Sequence, residues 1–420
     1  MADSIHFQFA VYYLPRPTKD PMTVLKHLLA REHLRLKIVP EMQDAPDEPI
    51  VVAHMQNNVL ERYPPPDMES LQYYGRGLSR GQMQALQRSE QALVLDFAHP
   101  KSRVWEALRS ANKIAEAVAR KTGGLVWDNQ TKEIFSTKEW QQRRIASWTK
   151  AKPDISNHTT IHAYKAGEYV RAITLGMSKV GLPDVVVEDF SWSLSPSMGN
   201  LINIFCQAMA EGTSIAKPGE FDLELRAIKN ALVRDPQLKS LKANAKGVAL
   251  LALVKGKREQ GDPKNRLIEI TFDRYEGINV HAQQENLLSA FFGSEDAIAR
   301  VNHRNEDLVT ASRQAKARLP KLFKAFKAGL RPGEFIQVKA PFATPNGGSE
   351  WMWVEVTAWH NNTIKGILKN EPFYIPHLHS GQLVKIHQDE VFDYIRHYPN
   401  GREEGNETGS IMQKMQQGNN

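Results

Sequence analysis

The stretch Ser349–Val356 reads Ser-Glu-Trp-Met-Trp-Val-Glu-Val, and its alternation leaves little freedom in how it can fold. Successive side chains of an extended backbone point to opposite faces. Trp351, Trp353 and Glu355 therefore share one face of a strand, and Met352, Val354 and Val356 the other. A strand this apolar on both sides belongs to a sheet with one face in a core. Its second face is either covered by further structure or offered to a partner, for which tryptophan is a common anchor. The same two-residue period recurs in Phe7–Leu14, through Phe7, Phe9, Val11 and Tyr13.

Helical periodicity is interleaved with these strands. Asp20-Pro21 supplies an N-cap and a first-turn proline for a helix bearing Leu25, Leu28 and Leu29 on one face. Val104, Leu108, Ala111, Ala115 and Val118 form a second stripe, and Ser136 with Glu139 has capping-box spacing for a helix through Trp148. Strands are expected at 35–39, 49–54, 92–97, 125–127 and 184–187, a hairpin at 159–175 about Ala166-Gly167, and a helix at 200–210. This mixture predicts an α+β protein with an N-terminal α/β-sandwich-like region over residues 1–235, divisible into two subdomains. The polar, Lys-rich stretch 235–246 is the expected boundary. A C-terminal α+β region over 240–400 should hold helices at 284–292, 295–318 and from Pro320, then a small, strongly curved antiparallel sheet. Residues 401–420, rich in Gly, Asn and Gln, read as a flexible tail.

Composition narrows the class. With 41% hydrophobic and 24% charged residues the chain can build ordinary globular cores. The single cysteine, Cys206, excludes an internal disulfide framework and suits a reducing compartment. It lies in the apolar run Leu201–Met209, where a buried thiol is expected. No basic, cleavable leader opens the sequence, and no run approaches the ~20 apolar residues of a membrane span. The expected location is the cytoplasm, with no membrane partner. A net charge of +7 over 420 residues is too dilute for a dedicated nucleic-acid protein.

The C-terminal third carries a resemblance. Leu319-Pro320, Phe326, Gly333-Glu334-Phe335 and Val338-Lys339-Ala340-Pro341-Phe342 are followed by Glu350-Trp351-Met352-Trp353-Val354. Then come Gly366-Ile367-Leu368-Lys369-Asn370-Glu371-Pro372, Gly381-Gln382-Leu383-Val384 and Val391-Phe392-Asp393-Tyr394. In this order they resemble the DUF2314 family, whose domain would span 302–398. Gly124–Asp128, Trp140, Arg143 and Thr174–Pro183 are similar to a second bacterial family, DUF4261. The resemblance implies a toxin-immunity protein of the type VI secretion kind, and no catalytic residues come with it.

Four constellations have residue types that could carry chemistry or binding. Trp351, Trp353, Trp359 and Glu350 are candidate partner-binding residues. Arg313, Lys316, Arg318, Lys321, Lys324, Lys327 and Arg331 occur without an intervening acid and form a candidate basic patch. Lysines late in a helix also suit its dipole, and no aromatic is interleaved for base stacking. His377 and His379, with His387 and Asp389 nearby, have a spacing that zinc could use but no supporting motif, so no metal is expected. The adjacent carboxylates Glu188-Asp189 and Glu306-Asp307 diverge on either a strand or a helix, which leaves no acid–base pair and no catalytic assignment. No cofactor motif is present. The reading is a protein that neutralises a cognate toxin or secreted effector, such as a nuclease, by occlusion. A homodimer is compatible with it. Two alternatives are a metal-dependent hydrolase acting on an acidic substrate and a nucleic-acid-binding protein.

Overall fold

A computed structural model describes residues 4–14, 16–31, 36–149, 152–213, 219–293 and 306–411. The chain is α+β, built on three sheets.

The first sheet uses β1 (Ser4–Tyr13), β2 (Lys37–Ile38), β3 (Ile50–Asn57), β4 (Gly75–Arg76), β5 (Gln91–Pro100), β6 (Gly124–Asp128) and β7 (Glu133–Phe135). Their spatial order is β2-β3-β5-β1-β6-β7-β4. Central β1 is buried on both faces. Phe7, Phe9, Val11 and Tyr13 enter the main core, while Ala10 and Tyr12 enter a smaller one with Val59, Leu71 and Leu86. Helices α1 (Pro21–Arg31) and α2 (Val104–Thr122) cover the main-core face. Gly123 ends α2 at φ 80°, a left-handed position glycine occupies without a Cβ penalty.

The second sheet contains β8 (Thr160–Ala166), β9 (Tyr169–Leu175), β10 (Asp184–Phe190), β11 (Glu220–Glu224), β12 (Val248–Lys255) and β13 (Leu267–Thr271). Its order is β11-β12-β13-β10-β9-β8, and β10 pairs in parallel with β13. The stretch 235–246 therefore does not separate two units: strands from before and after it lie side by side. It holds the end of a helix, Ala231–Ser240, and a connection. Helices α3 (Ser195–Glu211) and α4 (Val280–Phe292) pack on this sheet, and its core is continuous with that of the first.

The third sheet is antiparallel throughout: β14 (Phe335–Ala343), β15 (Ser349–His360), β16 (Thr363–Leu368), β17 (Leu383–His387), β18 (Asp393–His397) and β19 (Glu403–Gly405), in the order β17-β16-β15-β14-β18-β19. It has its own core with α5 (Glu306–Lys327). Two expectations need correction here. The helices expected either side of Pro320 are one helix, which carries Pro320 inside it. The part of the expected helix at 295–305 lies outside the described residues. The expected tail is docked at least to Ile411: β19 pairs with β18, and buried Thr408 donates to the Asp393 carboxylate through its N–H (2.9 Å) and its hydroxyl. Residues 412–420 lie outside the described residues. The expected helix through Trp148 is α-helical only over Thr137–Trp140 and continues as a wider turn over Gln141–Ile145.

Candidate functional site

Strand β15 organises the site. On β15, Met352, Val354 and Val356 face the core beneath α5, as alternation requires, beside Leu319, Leu322, Ile336 and Val338. Trp351, Trp353 and Glu355 face the other way. The register between β15 and β16 slips between Val356 and Ala358, leaving Thr357 as an extra residue. A bulge of this kind reverses side-chain parity. It turns Trp359 inward, where it is fully buried against Phe323 and Phe326 and donates from its indole N–H to Gln388. Trp359 is thus a core residue, not a surface anchor.

The outer face of β15 meets the second sheet along a polar seam. Glu355, 2% exposed, accepts the backbone N–H groups of Trp192 (2.8 Å) and Ser193 (3.1 Å). Lys369 reaches Ser191 (3.3 Å), His281 (2.8 Å) and Glu285 (3.6 Å). Burial pushes the Lys369 ammonium down, against the pull of Glu355 and Glu285. Burial would also raise the Glu285 carboxyl, but His281 and Lys369 outweigh it and hold it low. Further along, Asn279 donates to the Ser380 carbonyl and Tyr169 to that of Gly381. A Cβ on Gly381 would come within 2.3 Å of His281, so this contact requires glycine. Lys365 pairs with Glu168 at 2.8 Å, and Lys165 donates to the carbonyl of bulged Thr357 at 2.5 Å.

Beside this seam the two units stand apart, leaving a cleft of about 550 Å³. One wall is the continuous run His162–Lys165 of β8, with Trp192. The other is the end of α5, the turn through Arg331 and Pro332, and β15 from Glu355 to His360. The three carboxylates on its walls are committed: Glu168 to Lys365, Glu355 to two N–H groups, and Glu334 to Arg396 at 2.6 Å. Lys327 and Arg331 are exposed and form no ion pair among the described residues.

A second feature lies at the far end of β15. The connection after β16 runs beside the strand: Trp353 donates its N–H to Asn370 (2.7 Å), and Lys369 donates to the Trp353 carbonyl (2.8 Å). Glu350 then accepts the backbone N–H groups of Phe373 (2.7 Å) and Tyr374 (3.0 Å). This fastens a turn whose two aromatic rings, 5.1 Å apart, are 70% and 57% exposed. Half-buried Trp351 packs against Phe392 at 4.6 Å, and Lys339 lies over the Trp353 ring at 5.7 Å. Sequence reasoning named Glu350, Trp351 and Trp353 but missed Phe373 and Tyr374. The adjacent pair Phe373-Tyr374 inside a Pro-bounded turn was the available signal.

The remaining candidates are dispersed. His379 contacts Glu371 at 2.9 Å, His387 contacts Asp389 at 3.4 Å, and His377 is exposed. Among the described residues no group of three or more His, Cys, Asp or Glu side chains is placed to hold a metal. The patch Arg313, Lys316, Arg318, Lys321, Lys324, Lys327 and Arg331 is exposed along α5 and beyond it. Part of it is tied down, with Lys316 on the Asp389 carbonyl and Arg318 on Glu407. Glu188 pairs with Arg171 at 2.7 Å, whereas Asp189 sits in a bulge at φ 52°. The side chains of Glu306 and Asp307 lie outside the described residues. Cys206 is buried, and burial pushes its thiol up.

A buried charge cluster joins the first two sheets. Arg144 donates to Asp128 (3.1 Å) and Glu133 (2.9 Å), Lys179 contacts Asp128, and Arg76 pairs with Glu133 (2.7 Å). Burial lowers Lys179 to about 8 despite that carboxylate. The sequence reading singled out Arg143, but that side chain is half-exposed on Glu139, and its neighbour Arg144 enters the cluster.

Residues 305–418 match the DUF2314 family, described as an uncharacterized protein conserved in bacteria. No curated protein and no solved structure matches the chain. The resemblance of residues 123–187 to DUF4261 has no counterpart in these comparisons. Within the DUF2314 region the quoted motifs have structural work. Gly366 admits the Glu355 carbonyl where a Cβ would lie 2.2 Å from it, and Asn370 caps Trp353. Glu371 accepts from the Ser380 N–H at 2.9 Å, and Asp393 binds Thr408. No helix among the described residues is long and apolar enough to cross a membrane.

Proposed function

We propose that this protein acts by binding another protein, and that it neutralises a cognate bacterial toxin, a type VI secretion effector, by covering it. The observation that carries the reading is the fastened pair Phe373 and Tyr374. The two side chains are 70% and 57% exposed, and exposed aromatic side chains are the anchors that dominate interface energetics. The Glu350 clamp orders the turn in advance, which lowers the entropic cost of association. Trp351 and Trp353, half-buried on the other face of β15, are secondary candidates for the same role. The toxin assignment rests on the DUF2314 resemblance rather than on this geometry.

The test is co-expression with the product of the adjacent gene. Rescue of cells from that product, with a stable complex by size exclusion, supports the proposal. A doubly substituted Phe373→Ser, Tyr374→Ser protein should then fail to rescue. Rescue that survives the double substitution removes this patch from the reading, and failure of the native protein to rescue removes the toxin assignment.

A further inference from the structure

The tight turn at Gly167-Glu168, with Gly167 at φ 62°, makes Ala166 and Tyr169 the closing pair of the β8–β9 hairpin. In a two-residue hairpin this closing pair exchanges both backbone hydrogen bonds, and bonded pairs then alternate along the strands. Ala166, Tyr164, His162 and Thr160 therefore bond to β9. The N–H and C=O groups of Ile161, Ala163 and Lys165 point away from it. β8 is the last strand of its sheet, and these groups have no hydrogen-bond partner among the described residues.

This open edge is what the cleft lies against. Four consecutive β8 residues, His162–Lys165, line it, whereas no residue of β9 does. A cavity over the face of a sheet would be lined by alternate residues of several strands, so the lining identifies an edge. Exposed edges are commonly blunted by charge. Here the one β8 lysine, Lys165, reaches across the turn end of the cleft to the Thr357 carbonyl on the facing wall, which leaves the edge at Ile161 and Ala163 without a charged blunting group. The walls above and below are apolar at Trp192, Phe326, Leu330 and Phe335.

We propose that this cleft takes an extended, acidic peptide segment of a partner protein, which adds as a strand to β8. A row of alternating backbone donors and acceptors is matched by another backbone, in the manner of strand-addition domains. Four residues of strand span roughly 13 Å, the length of edge that lines the cleft. The preference for acid follows from charge. Glu168, Glu334 and Glu355 are neutralised by fixed partners, whereas Lys327 and Arg331 are not. This inference does not rest on the toxin reading, because the cleft and the Phe373–Tyr374 turn are separate features.

The experiment is selection of a displayed library of random twelve-residue peptides on the full-length chain, followed by fluorescence-polarisation titration. Enriched peptides should carry acidic residues beside a short β-prone run. Their binding should protect the Ile161, Ala163 and Lys165 amides from hydrogen exchange. Ala163→Pro removes an outward N–H without touching the ladder to β9, and should weaken binding about tenfold. Arg331→Glu, on an exposed side chain, should weaken it by a similar factor. If Ala163→Pro fails to fold, the charge reversal and the exchange pattern of the native chain decide. Failure to enrich any peptide overturns the proposal. So does binding that leaves those three amides unprotected, or that is indifferent to Arg331→Glu.

Discussion

The Glu355 carboxylate, on the outer face of β15, is bonded to the backbone N–H groups of Trp192 and Ser193 in the turn that leads into α3. Both oxygens are used, at 2.8 and 3.1 Å, and the group is almost fully buried. Removing the acceptor leaves buried donors unpaired, at about 1–3 kcal/mol each. Glu355→Ala should lower the denaturant midpoint of the protein and speed hydrogen exchange at the Trp192 and Ser193 amides. Glu355→Gln, which keeps one acceptor oxygen, should lie between it and the native chain.

The exposed aromatic turn should behave in the opposite way. Phe373→Ala and Tyr374→Ala truncate side chains that are 70% and 57% exposed, so thermal unfolding should be unchanged within a degree or two. If the turn anchors a partner, each substitution should cost roughly 2 kcal/mol of affinity, about thirtyfold in Kd. Glu350→Ala should weaken binding by freeing the turn, with the aromatic rings themselves intact. Isothermal titration against the cognate partner separates these effects.

The cluster of Asp128, Glu133, Arg144 and Lys179 is buried with opposite charges in contact. Breaking one side of such a network strands the rest in a medium of low dielectric. Arg144→Met should cost about 3–5 kcal/mol by chemical denaturation. Arg143→Met, one position away on the surface, should cost under about 1 kcal/mol.

Asp184 supplies a pH dependence with a definite sign. Burial raises its carboxyl to about 6, although Asn265, Met177 and Thr174 all donate to it. A carboxyl whose value rises on folding favours the folded state while protonated. Its contribution is fully present below the unfolded value near 3.8 and is lost as pH climbs through about 6. A rise of this size is worth at most about 3 kcal/mol. Asp184→Asn should flatten the stability curve between pH 4 and pH 6, measured as the urea midpoint at each pH.

Local periodicity carried most of the individual elements. β1, α1, α2, the β8–β9 hairpin and β15 lie where alternation, caps and apolar stripes put them, because each needs no distant partner to define its period. Pairing between distant segments was not legible. Nothing local in Asp184–Phe190 says that it will lie parallel to Leu267–Thr271, so the polar stretch 235–246 read as a boundary. The site was half legible for the same reason. Glu350, Trp351 and Trp353 stood out by their alternation. Trp359 was misplaced because a one-residue bulge at Thr357 leaves no compositional trace. His281, Glu285 and Glu168 meet Lys369 and Lys365 only after the units dock, and each is unremarked in its own neighbourhood.

The parallel pairing of β10 with β13 has a consequence for how the chain comes apart. The first two sheets share one apolar interior, and the second recruits segments from both sides of residue 240. The two are expected to melt together, whereas the sheet under α5 keeps an interior of its own. Calorimetry should therefore resolve two transitions rather than three, the smaller belonging to the region after residue 305.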